Sequence, residues 1–189
     1  MKELSTMQFS ERQQKLTFPS EKRALLLLNE RVVTIPASEE EGMEREEQTV
    51  YEYDGMFLDV SSPNEDSVLS AVKELKISDL MVYDSSEDVN QFTYQGVKMW
   101  LDKATRNGLL MRFNAEKAQG IEITTLWYDG IEYTLRVEDG ISMLYAIELY
   151  ASKSYDNTQK HMNAISELDT IEEVISYDYE AGYPNKLVL

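Results

Sequence analysis

The alternation of apolar and polar residues is clearest over 121–137, IEITTLWYDGIEYTLRV. Two alternating runs flank Asp129-Gly130. Asp-Gly between such runs is the strongest short-range signal for a β-hairpin. Ile121, Ile123, Thr125 and Trp127 fall on one face of the first strand, and Ile131, Tyr133, Leu135 and Val137 on one face of the second. The pattern predicts a ribbon with one apolar face that another element must cover. The run that follows has helical period. Ile141, Leu144, Tyr145, Ile147 and Leu149 give a helix over about 137–154 a broad apolar side.

Thr49–Val60, TVYEYDGMFLDV, repeats the pattern around Asp54-Gly55 and predicts a second hairpin. After Ser61-Ser62-Pro63, Asn64 or Asp66 can cap a helix through Leu75, with Val68, Leu69, Val72 and Leu75 as its apolar positions. Arg23–Ile35 reads as strand, turn, strand about Asn29-Glu30, while Lys76–Tyr83 and Phe92–Trp100 read as single strands. A helix over Leu101–Asn107 meets a stop at Asn107-Gly108, a second helical run ends at Gly120, and another covers Asp156–Leu168. Thr170 and Glu173 have the spacing of a capping box at the start of a short helix. Leu187-Val188-Leu189 reads as a terminal strand that could add to the sheet. The fold class is α+β, with antiparallel hairpins at about 49–60 and 121–137 each covered by a following helix. The organisation is an N-terminal arm over 1–22, a small hairpin–helix module over 23–84 and a C-terminal α+β module over 91–189. The arm is polar, with Phe9, Leu16 and Phe18 as spaced apolar anchors. It is either disordered or docked on a neighbouring subunit.

Charge narrows the partners. With 35 acidic and 18 basic residues the net charge is −17, which repels nucleic acid and anionic membrane. The glutamates between Glu39 and Glu47 read as a solvated tether. They lack the alternating ligands and fixed glycine of an EF-hand loop, so no calcium site is expected. No apolar run reaches the roughly 18–20 residues of a membrane span, and the first fifteen residues lack the apolar core of an export signal.

Candidate chemistry is sparse. Cysteine is absent, which removes thiolate metal sites, disulfides and cysteine nucleophiles. His161 is the single histidine, in a helical pattern beside Lys160 and Met162, and reads as structural. No phosphate-binding loop, dinucleotide fingerprint or nucleophile elbow occurs, so no cofactor, no metal and no enzyme activity are expected. The twelve tyrosines are the notable excess, concentrated toward the C-terminal third. Tyr177, Tyr179 and Tyr183 are interface candidates, since tyrosine suits surfaces with one wet and one apolar side. Alternating tyrosines also suit half-buried strands.

With these residues laid out, WLDKATRNGL at 100–109, TLWYDGIEYTL at 125–135 and YDYEAGYPNKL at 177–187 resemble an uncharacterised module of tailed bacteriophages and prophages. That module occurs in proteins of the tail and tail-fibre region and has the same helix, hairpin, helix order. The resemblance covers about 92–189, and more loosely 23–75. It implies a non-enzymatic structural or assembly protein, made in the bacterial cytoplasm and carried in the virion. Its partners would be other phage tail proteins or further copies of the chain. The interaction candidates are Phe9, Leu16, Phe18, Tyr177, Tyr179 and Tyr183. The alternative is a bacterial carbohydrate- or small-ligand-binding domain, or a hydrolase working through paired carboxylates.

Overall fold

The computed structural model of the chain describes residues 4–40, 43–45 and 47–189. Glu41 and Glu46 of the acidic run, and the first three residues of the predicted arm, lie outside the described residues. The chain forms two units, Met1–Asp79 with Ile165–Tyr177, and Leu80–Ala164 with Asp178–Leu189.

In the first unit the predicted arm is built into a sheet. Strand β1 (Ser5–Phe9) comes first, followed by β2 (Leu16–Ser20), which pairs with the long β3 (Arg23–Ile35). Next come β4 (Ser38–Glu40) and β5 (Met43–Arg45), which pair as a separate ribbon, and then β6 (Gln48–Asp59). The order across the main sheet is β1-β6-β3-β2, and every pairing is antiparallel. Residues 5–9 and 16–20 are therefore edge strands. Phe9, Leu16 and Phe18 are half-buried on their own unit.

The hairpin predicted at 49–60 is a single strand. Gly55 pairs with Ser5 on one side and Leu27 on the other, with no left-handed backbone at Asp54 or Gly55. Its glycine answers to crowding. A Cβ there would lie 2.6 Å from Met7 Sδ and 2.8 Å from Leu27 Cδ2. The turn predicted at Asn29-Glu30 is likewise a bulge inside β3. Asn29 is left-handed (φ 50°), and the register shifts between Leu28 and Arg31 so that two residues oppose Tyr53. Both strands thus run straight through the places where the sequence suggested reversals. Neighbours on both sides of β6, and β6 itself beside β3, satisfy their backbone groups only if they stay extended.

Helix α1 (Glu65–Asp84) starts as predicted. Asn64 Oδ1 accepts the Ser67 backbone N–H at 2.8 Å. It continues through the strand predicted at Lys76–Tyr83. Val68, Val72, Lys76 and Leu80 are all buried at four-residue spacing, so a lysine occupies one position of the apolar stripe and masks the helical period. Lys76 is accommodated because its Nζ donates to the Ile175 carbonyl at 2.9 Å.

The second unit opens with the short α2 (Glu87–Asn90). Phe92–Trp100 forms a small hairpin in place of one strand. Strands β7 (Phe92–Tyr94) and β8 (Val97–Met99) turn at Gln95 and Gly96, both left-handed. Helix α3 (Lys103–Ala118) passes through Asn107-Gly108 without stopping and ends before Gly120 (φ 73°). Asp102 caps it, accepting the Thr105 N–H at 2.8 Å. The predicted hairpin at 121–137 is present as β9 (Ile123–Tyr128) and β10 (Ile131–Arg136). The helix after it, α4 (Val137–Glu167), absorbs the separate helix predicted from Asp156. The capping box forms at the start of α5 (Ile171–Ser176), which belongs to the first unit. Leu187 and Leu189 bond to the backbone of Thr93, so the predicted terminal strand is a single parallel bridge.

The core of the second unit joins Phe92, Met99, Phe113, Leu126, Leu135 and Ile147, among others. Gly140 lets α4 approach it closely. A Cβ at that position would lie 2.7 Å from the fully buried Phe113 ring. The fold is mixed α+β, with antiparallel sheets and helices that follow hairpins. Among the described residues, no helix is long and apolar enough to cross a membrane.

Candidate interaction surface

A two-residue turn decides which side chains of the β9–β10 hairpin share a face. Asp129 (φ 48°) and Gly130 (φ 77°) are both left-handed, as a type I′ turn requires. Tyr128 then lies opposite Ile131, Leu126 opposite Tyr133 and Thr124 opposite Leu135. Cross-strand partners project to the same side. Thr124, Leu126, Tyr133 and Leu135 therefore face inward, with Leu126 and Leu135 in the core. Ile123, Thr125 and Trp127 project outward, beside Arg136, Thr134 and Glu132.

This reverses the predicted face of β9. Trp127 is 60% exposed, Ile123 54% and Ile121 47%. The hairpin carries an apolar row on each side, and only one is covered by its own unit. The missed signal is the turn length. Pairing 128 with 131 places odd-numbered residues of β9 beside even-numbered residues of β10, so the two apolar rows cannot lie on one side.

The electrostatics of the outer face are uneven. Arg136 forms two bonds to Asp139, each 2.9 Å, and this holds the Asp139 carboxyl below the usual carboxylate range. Lys117 pairs with Glu138 at 3.2 Å. Glu122 and Glu132 have no ion-pair partner among the described residues. Ile121 and Glu122 also line a cavity of about 450 Å3 with Lys117, Arg136 and Val137.

The interaction candidates lie elsewhere. Phe9 meets Tyr53 edge-on with centroids 5.9 Å apart. The Tyr53 hydroxyl accepts the Gln13 N–H and donates to Glu30. Leu16 lies at a second cavity of about 450 Å3 in the first unit, with Leu26, Leu69, Glu65, Asp66 and Glu172. Lys15, at the same cavity, pairs with Glu172. Phe18, Tyr177, Tyr179 and Tyr183 are half-buried. Tyr179 and Tyr183 both pack on Tyr83, with centroids 5.9 and 5.4 Å away. Tyr179 and Tyr183 belong to the second unit and the other four candidates to the first.

His161 is buried, stacked on Tyr183, with Nε2 donating to the Ala181 carbonyl at 2.8 Å. Thr158 joins the same cluster, donating to Asp84 at 2.6 Å and lying 2.7 Å from the Tyr183 hydroxyl. Burial pushes the Tyr183 hydroxyl pKa up. These contacts tie 178–189 onto α4. Among the described residues no group of three or more histidines or carboxylates is arranged to hold a metal ion. Compared with family models, with curated proteins and with solved structures, the chain matches none.

Proposed function

We propose that the chain is a non-enzymatic bacteriophage protein of the tail region that acts by protein–protein contact, in the virion or during its assembly. The observation that carries the reading is the uncovered apolar row Ile121, Ile123 and Trp127 on the outer face of the hairpin. A hairpin ordinarily leaves its second face polar. A surface tryptophan in line with two isoleucines costs solubility and gains area only when a partner covers it. The phage setting comes from the resemblance of 100–109, 125–135 and 177–187 to the tail-region module. Partners are other tail proteins or further copies of the chain.

The test is whether particles carry the protein. Purified virions of a phage encoding this chain should contain it at a fixed copy number, and antibody should label the tail in electron micrographs. Particles lacking the protein, with the protein recovered only from the host cytoplasm, would overturn the proposal. A small-ligand-binding domain is the second reading. The cleft beside Leu16, Leu26 and Leu69 favours it, and calorimetric titration with sugars and amines tests it.

A further inference from the structure

We propose that Asp129-Gly130, at the tip of the β9–β10 hairpin, is a site of spontaneous backbone modification, where Asp129 is converted to isoaspartate through a cyclic imide. The inference is independent of the protein-contact reading above.

The chemistry is general to Asp-Gly and needs no co-reactant but water. The Gly130 backbone nitrogen attacks Cγ of the Asp129 carboxylic acid. The N–Cγ bond forms and the Cγ–OH bond breaks, and the hydroxyl leaves as water with the proton that the amide gives up. Water then opens the five-membered ring. Attack at Cγ restores aspartate. Attack at the Asp129 main-chain carbonyl carbon breaks its bond to the Gly130 nitrogen. The chain thereafter runs through Cγ and is one methylene longer, with its elemental composition unchanged. Glycine is the favourable second residue because it has no side chain to crowd the ring.

The sequence holds three such pairs, at Asp54, Asp129 and Asp139, and the fold separates them. Ring closure needs a carboxyl free to swing, a nitrogen free to meet it and a peptide plane free to turn. The Asp54 carboxylate accepts bonds from Asn29 at 2.8 Å and from Arg31 at 2.7 and 3.3 Å. Its backbone lies in β6, paired on both sides at Gly55, where a Cβ would meet Met7 Sδ at 2.6 Å. The Asp139 carboxylate is held by two bonds from Arg136, its backbone lies in α4, and the Phe113 ring crowds Gly140. These bonds also keep both carboxyls below the usual range, away from the protonated form whose hydroxyl leaves.

At the hairpin tip these restraints are missing. Asp129 and Gly130 are exposed. Neither the Asp129 carboxylate nor the Gly130 N–H makes a hydrogen bond among the described residues. A Cβ at Gly130 would have no neighbour within 4 Å. The Asp129 backbone is left-handed (φ 48°), a region that costs an L-residue energy, so only the hairpin opposes its turning out. The added methylene falls inside the two-residue turn that pairs Tyr128 with Ile131. A longer link no longer fits a type I′ turn, and the register that places Leu126 and Leu135 in the core is weakened.

The experiment incubates the full chain for a month at 37 °C and neutral pH, beside a sample unfolded in guanidinium chloride. After digestion, electron-transfer fragmentation distinguishes isoaspartate from aspartate at each pair. In the folded chain, isoaspartate at 129 should exceed that at 54 and at 139 by about tenfold or more, since those two react only on opening. In guanidinium the three should lie within about twofold of one another. Asp129→Asn keeps a residue suited to the turn and expels ammonia in place of water, so it should raise isoaspartate at 129 severalfold. The isoaspartyl chain, resolved by ion-exchange chromatography, should melt about 3–6 °C below its parent.

A folded-state ratio below about threefold, or one that survives unchanged in guanidinium, would overturn the proposal. So would isoaspartate at 129 that forms in guanidinium and not in the folded chain. An isoaspartyl chain that melts with its parent would overturn the consequence for the register.

Discussion

At Gly140 and Gly108 one residue type has opposite meanings. Gly140 lies where α4 passes the Phe113 ring, which is fully buried and has nowhere to move. Gly140→Ala should therefore cost about 1–3 kcal/mol, the usual penalty for overpacking a core. Gly108 stands inside α3, and a methyl group added there would have no neighbour within 4 Å. Gly108→Ala should stabilise by about 0.5–1 kcal/mol, through helix propensity and a less disordered unfolded chain. Chemical denaturation of the two variants checks both signs. Gly55 falls between them, because the Met7 and Leu27 atoms it would meet are ends of flexible side chains. From the sequence each of these is only a glycine in a mixed pattern. What separates them is a neighbour far along the chain, and local periodicity carries no information about that.

At the scale of elements, the hairpin is the most legible feature of the sequence and also the one whose faces mislead most. Its turn, its strands and its covering helix all follow from Asp129-Gly130 and the alternation around it. The face of β9 does not, because alternation within one strand is blind to the register that the turn imposes across the pair. Two substitutions separate the faces. Leu135→Asp puts a charge into the core and should destabilise by about 3–5 kcal/mol. Ile123→Asp, one strand over on the outer face, should stay within about 0.5 kcal/mol of the parent. Equal melting temperatures for the two would mean the register is wrong. Asp54-Gly55 illustrates the opposite failure, where the local turn signal is sound and the sheet overrides it. A dipeptide can reverse a free ribbon, but β1 and β3 hold β6 extended from both sides. The six interaction candidates stand out in the sequence by residue type alone. Their half-burial arises from long-range partners, such as Tyr53 for Phe9 and Tyr83 for Tyr179 and Tyr183, that no local pattern reveals.

For the whole molecule, charge and the chain's first strands govern stability. Several carboxyls are held below the usual range: Asp54 by bonds from Arg31 and Asn29, Asp102 by the Thr105 N–H, and Glu173 by Thr170. A carboxyl with a depressed folded pKa stabilises above its unfolded value, about 4, and that contribution is lost as pH falls through the folded value. Net charge passes through zero near pH 4.4. Self-repulsion therefore eases as pH drops toward that point and returns with positive sign below it. Melting temperature should be highest between about pH 5 and the neutral point and fall steeply below about pH 4. Asp54→Asn should lower it at pH 7, by an amount that shrinks as pH falls below about 4, as fluorimetric melts across pH can measure. Deleting residues 1–20 removes β1 and β2 and bares the edges of β6 and β3. The truncated chain should lose its cooperative transition or aggregate. A well-folded product would mean that these strands are accessory.

The first unit closes with 165–177, which the chain delivers only after the whole stretch 80–164. During synthesis the four-stranded sheet and most of α1 emerge without Ile165 and Val174, both fully buried in the finished protein. The Lys76 ammonium likewise waits for its carbonyl at Ile175. Translation at about 5–20 residues per second makes that wait roughly 4–17 seconds for the roughly 85 intervening residues. The nascent sheet thus spends that time with an open flank on the ribosome. Codon choice over 80–164, and a chaperone's grip on that flank, bear on yield as directly as any contact in the finished fold.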